Sequence, residues 1–231
     1  LMGELTPDQS RQTLKTIVAE SERMQAIVEN LLLLARADAD QAPVQSIPLS
    51  LDHMMLEVFE QMEAMAHRKG VALDLGSLET VKIMGDPLWL RQILVNLVTN
   101  GIKYTPQGGR VILHATKSPS GGPGGSEGLW AIAKVEDTGP GIAPEHQERL
   151  FDRFYRIDAG RGRDSGGSGL GLSIAQWAAH AQGGDITGFH GCHLRGGERD
   201  DLVGGEGRDL AGGQPDHLRG GEASLHLVGG Q

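Results

Sequence analysis

The chain has 231 residues, a formal net charge of −9 and a single cysteine, Cys192. That length allows one sizeable core with an appendage, or two small domains. The acidic balance argues against a nucleic-acid partner, and one cysteine excludes both a disulfide framework and a thiolate metal cluster, which fits a cytoplasmic setting. No window approaches the roughly 18 apolar residues that span a bilayer, so no membrane segment is expected. The first residues also lack the basic-then-apolar layout of a signal peptide. The sequence opens abruptly inside what reads as a turn, which predicts a fragment of something longer.

Thr6 and Pro7 begin a helical pattern over residues 6–37. In it Ile17, Ser21, Met24, Val28, Leu31 and Ala35 alternate by four and three, as along a coiled-coil seam. Leu14, Ile27 and Leu34 widen the stripe, which predicts more than one neighbour, as in a four-helix bundle; an ordinary core helix is the alternative. Residues 37–46 are polar and read as a linker, and 47–51 as a short edge strand. Ser50 is placed to cap a helix carrying Leu56, Phe59, Met62, Met65 and Ala66, which stops at Gly70. His53 and His67 on it read as solvated surface. Residues 71–75 and 80–84 alternate apolar and polar and predict a hairpin.

Asp86 then caps a helix with Pro87 in its first turn, and Thr105-Pro106 ends it. Leu90, Leu94, Leu97 and Gly101 share one face of it, and Asn96, Asn100 and Lys103 share another. Two amide oxygens and an ammonium in a row suit a hydrated Mg²⁺ and the phosphates that it bridges, although a solvated stripe has the same pattern. Residues 110–117 and 129–136 read as strands joined by the flexible SPSGGPGGSEG. Pro144 starts a short helix through His146 and Leu150, and 160–167 form a basic loop. A further helix ends at Gly183-Gly184, and 184–187 begin another strand.

From His193 the sequence repeats at a period of eight: HLRGGERD, DLVGGEGR, DLAGGQPD, HLRGGEAS, then a slipped LHLVGGQ. The stretch from Gly188 holds 13 of the 35 glycines and no aromatic residue after Phe189. Such a composition buries too little apolar surface to offset its ordering entropy, so disorder is expected; a glycine-rich β-solenoid is the alternative.

Two further stretches add chemistry to the Asn96–Asn100–Lys103 face. Asp137, at a strand end, can accept from an exocyclic amino group, while Gly139 and Gly141 let backbone come close to a flat base. The alternative is a tight turn with a capping carboxylate. Gly167, Gly169 and Gly171 open a helix whose N–H groups and dipole favour phosphate. The pattern is neither a Walker A loop nor a dinucleotide fingerprint, since no Gly-Lys-Ser/Thr follows it and no strand runs directly into it.

Taken together, four stretches resemble one family, the sensor histidine kinases. NLVTNGIKYT (96–105) looks like their asparagine box and EDTGPGI (136–142) like their first glycine box. LFDRFYRID (150–158) looks like their phenylalanine box and GGSGLGLSIA (166–175) like their second glycine box. The resemblance covers roughly residues 3–187. It implies an α+β fold: a GHKL (Bergerat) ATP-binding α/β sandwich with a mixed sheet, preceded by a long coiled-coil-type helix and followed by the glycine-rich tail. Residues 1–40 become the second helix of the dimerisation and histidine-phosphotransfer hairpin, 41–188 the ATP-binding catalytic domain, and 189–231 a disordered or non-native tail.

Carried over by position, the resemblance makes Asn100 the Mg²⁺ ligand, with Asn96 supporting metal and phosphates. Lys103 neutralises phosphate charge and Tyr104 lines the nucleotide pocket. Asp137 reads the adenine amino group, with Gly139 and Gly141 beneath the base. Phe151 and Phe154 pack the hinge of a lid, and Arg156, Arg161 and Arg163 reach the γ-phosphate side. Gly167, Gly169, Leu170 and Gly171 form the phosphate-facing end of the lid. The implied cofactors are ATP and Mg²⁺. The implied partners are a response-regulator receiver domain and a second copy joined through the N-terminal helix.

Two departures stand out. None of the nine histidines (His53, His67, His114, His146, His180, His190, His193, His217, His226) has the acceptor context His-Glu/Asp-x-Arg/Lys-x-Pro. The chain as written is therefore expected not to phosphorylate the family's usual site within itself. The octad repeat also replaces the family's closing apolar strand, which suggests a shifted reading frame and a sheet short of pairing partners. The rival readings are a nucleotide-binding or dimerising module without transfer, another GHKL ATPase, and a truncated product without function.

Overall fold

The helix over 87–104 buries the face that its spacing predicts, and the rest of the molecule is assembled around it. The computed structural model describes residues 6–38, 44–120, 127–157, 168–187 and 221–228. In chain order these form α1 (Pro7–Asp38), β1 (Ile47–Ser50), α2 (Leu51–Lys69), β2 (Ala72–Leu78), β3 (Lys82–Gly85) and α3 (Pro87–Tyr104). There follow β4 (Arg110–Ser120), β5 (Glu127–Asp137), the single-turn α4 (Pro144–Gln147), α5 (Gly171–His180), β6 (Asp185–Thr187) and β7 (Gly221–Val228). Five strands make one mixed sheet in the order β2-β4-β5-β7-β6, and β1 pairs with β3 in a separate antiparallel ribbon.

Helices α2, α3 and α5 pack on one face of the sheet. Leu90, Ile93, Leu94, Leu97, Val98 and Ile102 of α3 meet Val111, Leu113 and Ala115 of β4 and Ala131, Ala133 and Val135 of β5 in one core. The strand partners alternate with half-buried Ile112, His114, Thr116, Ile132 and Lys134, as period-two geometry requires of a sheet covered on one side. Each such aliphatic side chain contributes about 1.5–3 kcal/mol of gross burial energy, most of it offset by lost conformational entropy. Trp89 and Trp177 close one end of the core in an edge-on pair with centroids 4.7 Å apart.

Several expectations are corrected. Residues 71–75 and 80–84 do not form a hairpin. β2 pairs in parallel with β4 (Ala72↔Arg110, Leu75↔Leu113), and β3 leaves the main sheet for β1. Parallel neighbours need a crossover helix between them, and α3 lies between β2 and β4 in the chain. Ser50 precedes α2 without capping it through its side chain; its hydroxyl donates to Asp52 Oδ1 at 2.7 Å. The helix from Pro144 stops at Gln147, and α5 ends at His180, with turns carrying the chain onward in both cases.

The closing strand expected to be missing is present in part of the tail. β7 lies between β5 and β6 and pairs antiparallel with both, through Ala133↔Leu225 and Ile186↔Leu225 among other pairs. The octad slips here, and GEASLHLV alternates Ala223, Leu225 and Leu227 with Glu222, Ser224 and His226. Its register sets the three apolar residues opposite Val135, Ala133 and Ala131, the buried positions of β5. The rest of the tail, 188–220 and 229–231, lies outside the described residues.

Among the described residues, helix α1 packs on the domain near its C-terminal end, where Leu34 is buried against Leu170 and Ile174 with Leu33 alongside. Leu14, Ile17, Val18, Met24, Val28, Leu31 and Leu32 stay exposed. No helix among the described residues is long and apolar enough to cross a membrane.

Candidate functional site

Asp86 fixes where α3 begins. Its Oδ1 accepts from the Leu88 and Trp89 N–H groups at 2.9 and 3.3 Å, and its Oδ2 accepts from Gln45 N–H at 2.8 Å. Its own N–H donates to Gln182 Oε1 at 2.7 Å, which ties the start of α3 to the end of α5. From this anchored end the polar face runs through half-buried Asn96, Asn100 and Lys103. Asn96 is held at both ends of its amide: Nδ2 donates to Gly171 O at 2.9 Å, and Oδ1 accepts from Gln92 Nε2 at 3.2 Å. It therefore ties α3 to the first residue of α5. One turn on, the Asn100 side chain has no hydrogen bond among the described residues, which leaves its amide oxygen for a ligand. The Lys103 ammonium lies 5.0 Å from the ring centroid of exposed Tyr104.

Asp137 ends β5 and turns back on itself, its Oδ1 accepting from Gly139 N–H at 2.8 Å. Gly139 is buried against the end of α3. A Cβ there would stand 2.6 Å from Asp137 Oδ1 and 3.3 Å from Tyr104 O, so a side chain would have to displace the Asp137 carboxylate and crowd the end of the helix. Gly141 follows at φ 69°. The asparagine helix and the Asp137 turn are thus brought side by side.

The phenylalanine-box stretch folds back onto the second glycine turn. Phe154 has φ 65°, rare for a non-glycine residue, and its N–H donates to Gly169 O at 2.9 Å. Gly169, at φ 71°, has no room for a side chain: a Cβ would lie 2.7 Å from Phe154 C. The two Phe positions differ. Phe151 packs on the core, whereas Phe154 is 58% exposed. Leu170 is fully buried with Leu34 and Ile174, so only its backbone is available to a ligand. It gives α5 no side-chain cap. Arg156 is half-buried beside this turn in sequence. Gly167, Arg161 and Arg163 fall outside the described residues.

The family model for histidine kinase-, DNA gyrase B- and HSP90-like ATPases matches residues 85–206, more than half of the chain. This chain belongs to that family. The model of the His Kinase A (phospho-acceptor) domain matches residues 1–40. The ATPase-family chain is 37% identical over 198 residues to the signal transduction histidine-protein kinase BarA of Escherichia coli (strain K12), covering 85% of this chain and 21% of BarA. It is 38% identical over 168 residues to the sensor histidine kinase CusS of Escherichia coli O157:H7, covering 73% of this chain and 33% of CusS. The chain thus spans a fifth to a third of these relatives, and within the family they are sensor histidine kinases. Among solved structures, full-length ShkA in complex with AMPPNP matches with a TM-score of 0.67 at 26% identity, over 97% of this chain and 40% of that one. The histidine kinase AdeS of Acinetobacter baumannii shares the fold, with a TM-score of 0.68 at 18% identity, over 99% of this chain and 89% of AdeS.

Contacts that the motifs do not announce hold the elements of the candidate site in place. Lys69, at the end of α2, donates from Nζ to Ile102 O at 2.6 Å and to Lys103 O, across 33 and 34 residues of chain. Burial pushes its ammonium below the ordinary lysine value. Beside the first glycine box, a bond from Lys134 holds Glu136 below the usual carboxylate range against the opposing effect of burial. Within the phenylalanine box, Tyr155 is gripped by His146 Nδ1 at 2.8 Å from its hydroxyl and by the Arg149 guanidinium 4.4 Å from its ring centroid. For Lys69 the one sequence signal, a basic residue just before a C-terminal glycine, points to the end of its own helix rather than to another.

Proposed function

We propose that this chain is the ATP-binding catalytic part of a sensor histidine kinase, binding Mg-ATP and passing its γ-phosphoryl group to a histidine on a separate hairpin. From there the group would be relayed to the aspartate of a response-regulator receiver domain. One observation carries this reading: three stretches far apart in the chain meet around α3. Asn96 bonds the first residue of α5, and Gly139 abuts the carbonyl of Tyr104. The bound nucleotide would supply the phosphoryl group, and the protein's task is positioning and charge neutralisation.

Each residue has a part in that task. Asn100 would offer its amide oxygen to Mg²⁺, a hard ion that takes few protein ligands and keeps phosphate oxygens and waters for the rest. Asn96 would hold the α5 turn at the metal's side rather than move freely. Lys103 would set positive charge beside the phosphates, and Tyr104 would wall the pocket. The Asp137 carboxylate would accept from the adenine amino group, above Gly139 and Gly141. The Gly169–Leu170 turn and the first turn of α5, which starts at Gly171, would present N–H groups to phosphate. In the transfer itself the bond from the γ-phosphorus to the bridging oxygen would break as one to the unprotonated imidazole nitrogen forms, the other ring nitrogen would give up its proton to solvent, and ADP would leave. The exposed stripe on α1 supports pairing with a second copy, and the use of ATP would suit a cytoplasmic setting.

The test combines the chain with a separate hairpin that carries an acceptor histidine, using ATP labelled at the γ position. Label is expected on the hairpin, and Asn100→Asp is expected to lower the rate at least tenfold by changing the metal's ligand set. Nucleotide binding without label on the hairpin would favour the second reading, a nucleotide-binding module without transfer.

A further inference from the structure

The last turn of an α-helix ends in carbonyls with no partner inside the helix. In α3 Gly101 O takes the Thr105 N–H at 3.0 Å, and the next two carbonyls, of Ile102 and Lys103, both take the Lys69 ammonium. A cation at this end also opposes the negative pole of the helix. This is the turn that carries Lys103 and Tyr104, and the carbonyl of Tyr104 is the surface on which Gly139 rests. Lys69 is not alone in joining α2 to the loop after α3. Gly108 N–H donates to Gly70 O at 2.7 Å, and Ala72 N–H donates to Gly109 O at 2.9 Å. Loss of the ammonium would therefore release the end of α3 while this junction stays closed.

We propose that Lys69 is a positioning residue of the nucleotide site: bonded to the carbonyls of Ile102 and Lys103, it sets the last turn of α3 so that Lys103 and Tyr104 meet the ligand beside Asp137. The inference rests on the reading of this site as one for ATP. Lys69 touches no ligand itself. Its effect is to fix two groups that do, and to keep positive charge at a helix end that would otherwise turn negative carbonyls toward an anionic ligand.

The test is calorimetric titration of the full chain with Mg-ADP, alongside thermal unfolding, for wild type, Lys69→Met and Lys69→Arg. Lys69→Met is expected to weaken Mg-ADP about three- to thirtyfold, the range of a charge-assisted hydrogen bond partly recovered by relaxation. Lys69→Arg, which keeps the charge and the donors, is expected to bind within about threefold of wild type. If Lys69→Met fails to fold, Lys69→Gln, with a donor but no charge, takes its place. A lowered unfolding temperature with unchanged affinity in the folded protein would overturn the proposal and leave Lys69 a structural cap. Failure of the wild type to bind Mg-ADP would overturn the ATP reading instead, and shows in a different arm of the experiment.

Discussion

Gly101 lies inside α3, where glycine is about 0.8–1.0 kcal/mol less favourable than alanine, so helix propensity favours a change to alanine. The structure has room for the change. A Cβ at Gly101 would meet Val111 Cγ1 at 3.4 Å and Val135 Cγ1 at 3.5 Å, ordinary contact distances. Gly101→Ala is therefore expected to stabilise the domain by about 0.5–1 kcal/mol, seen as a higher denaturation midpoint with an unchanged slope. Gly169 is the opposite case, since at φ 71° its missing side chain is the condition for a close approach to the Phe154 backbone. The candidate ligand-facing residues could be proposed from sequence because each belongs to a short local motif. Lys69 and Gln182 were not, because their partners lie 33 to 96 residues away and pairings at that range leave no periodicity.

At the scale of elements the helices were the easiest to read, since a capping Asp86, Pro87 and the Thr105-Pro106 stop bracket α3 from both ends. The strands were legible as strands but not as partners. Alternation shows that a face is buried; it does not show which neighbour pairs, and so β2 and β3 looked like a hairpin. β7 was missed because glycine-rich repeats surround it, and its eight residues show their alternation only where the octad slips. Its ladder to β5 runs over eight registered pairs, and hydrogen bonds at about 0.5–1.5 kcal/mol net each make that comparable with the ~5–15 kcal/mol margin of a whole domain. Deleting 221–231 is thus expected to remove cooperative thermal unfolding, followed by circular dichroism. A truncated chain that unfolds like the full one would show that the sheet does not depend on β7.

At the scale of the whole molecule two parts behave differently. The sheet and its helices close a core of their own, while α1 buries Leu34 on the domain and leaves Met24 64% exposed along with most of its apolar stripe. A helix of 32 residues with such a stripe is stabilised mainly by a partner, which agrees with the phospho-acceptor match over residues 1–40. Leu34 also packs on Leu170 and Ile174, so the end of α1 bears directly on the glycine turn that would face phosphate. The central claim is that this turn, the α3 face and Asp137 enclose an adenine nucleotide. Titration of the full chain with a non-hydrolysable Mg-ATP analogue, wild type against Asp137→Asn, tests it most directly. The account predicts one site per chain in the wild type and affinity at least tenfold weaker in the variant, since a charged acceptor is worth about 1.5–3 kcal/mol more than its absence. Equal affinity in the two proteins would contradict the adenine assignment, and no binding by the wild type would contradict the nucleotide site itself.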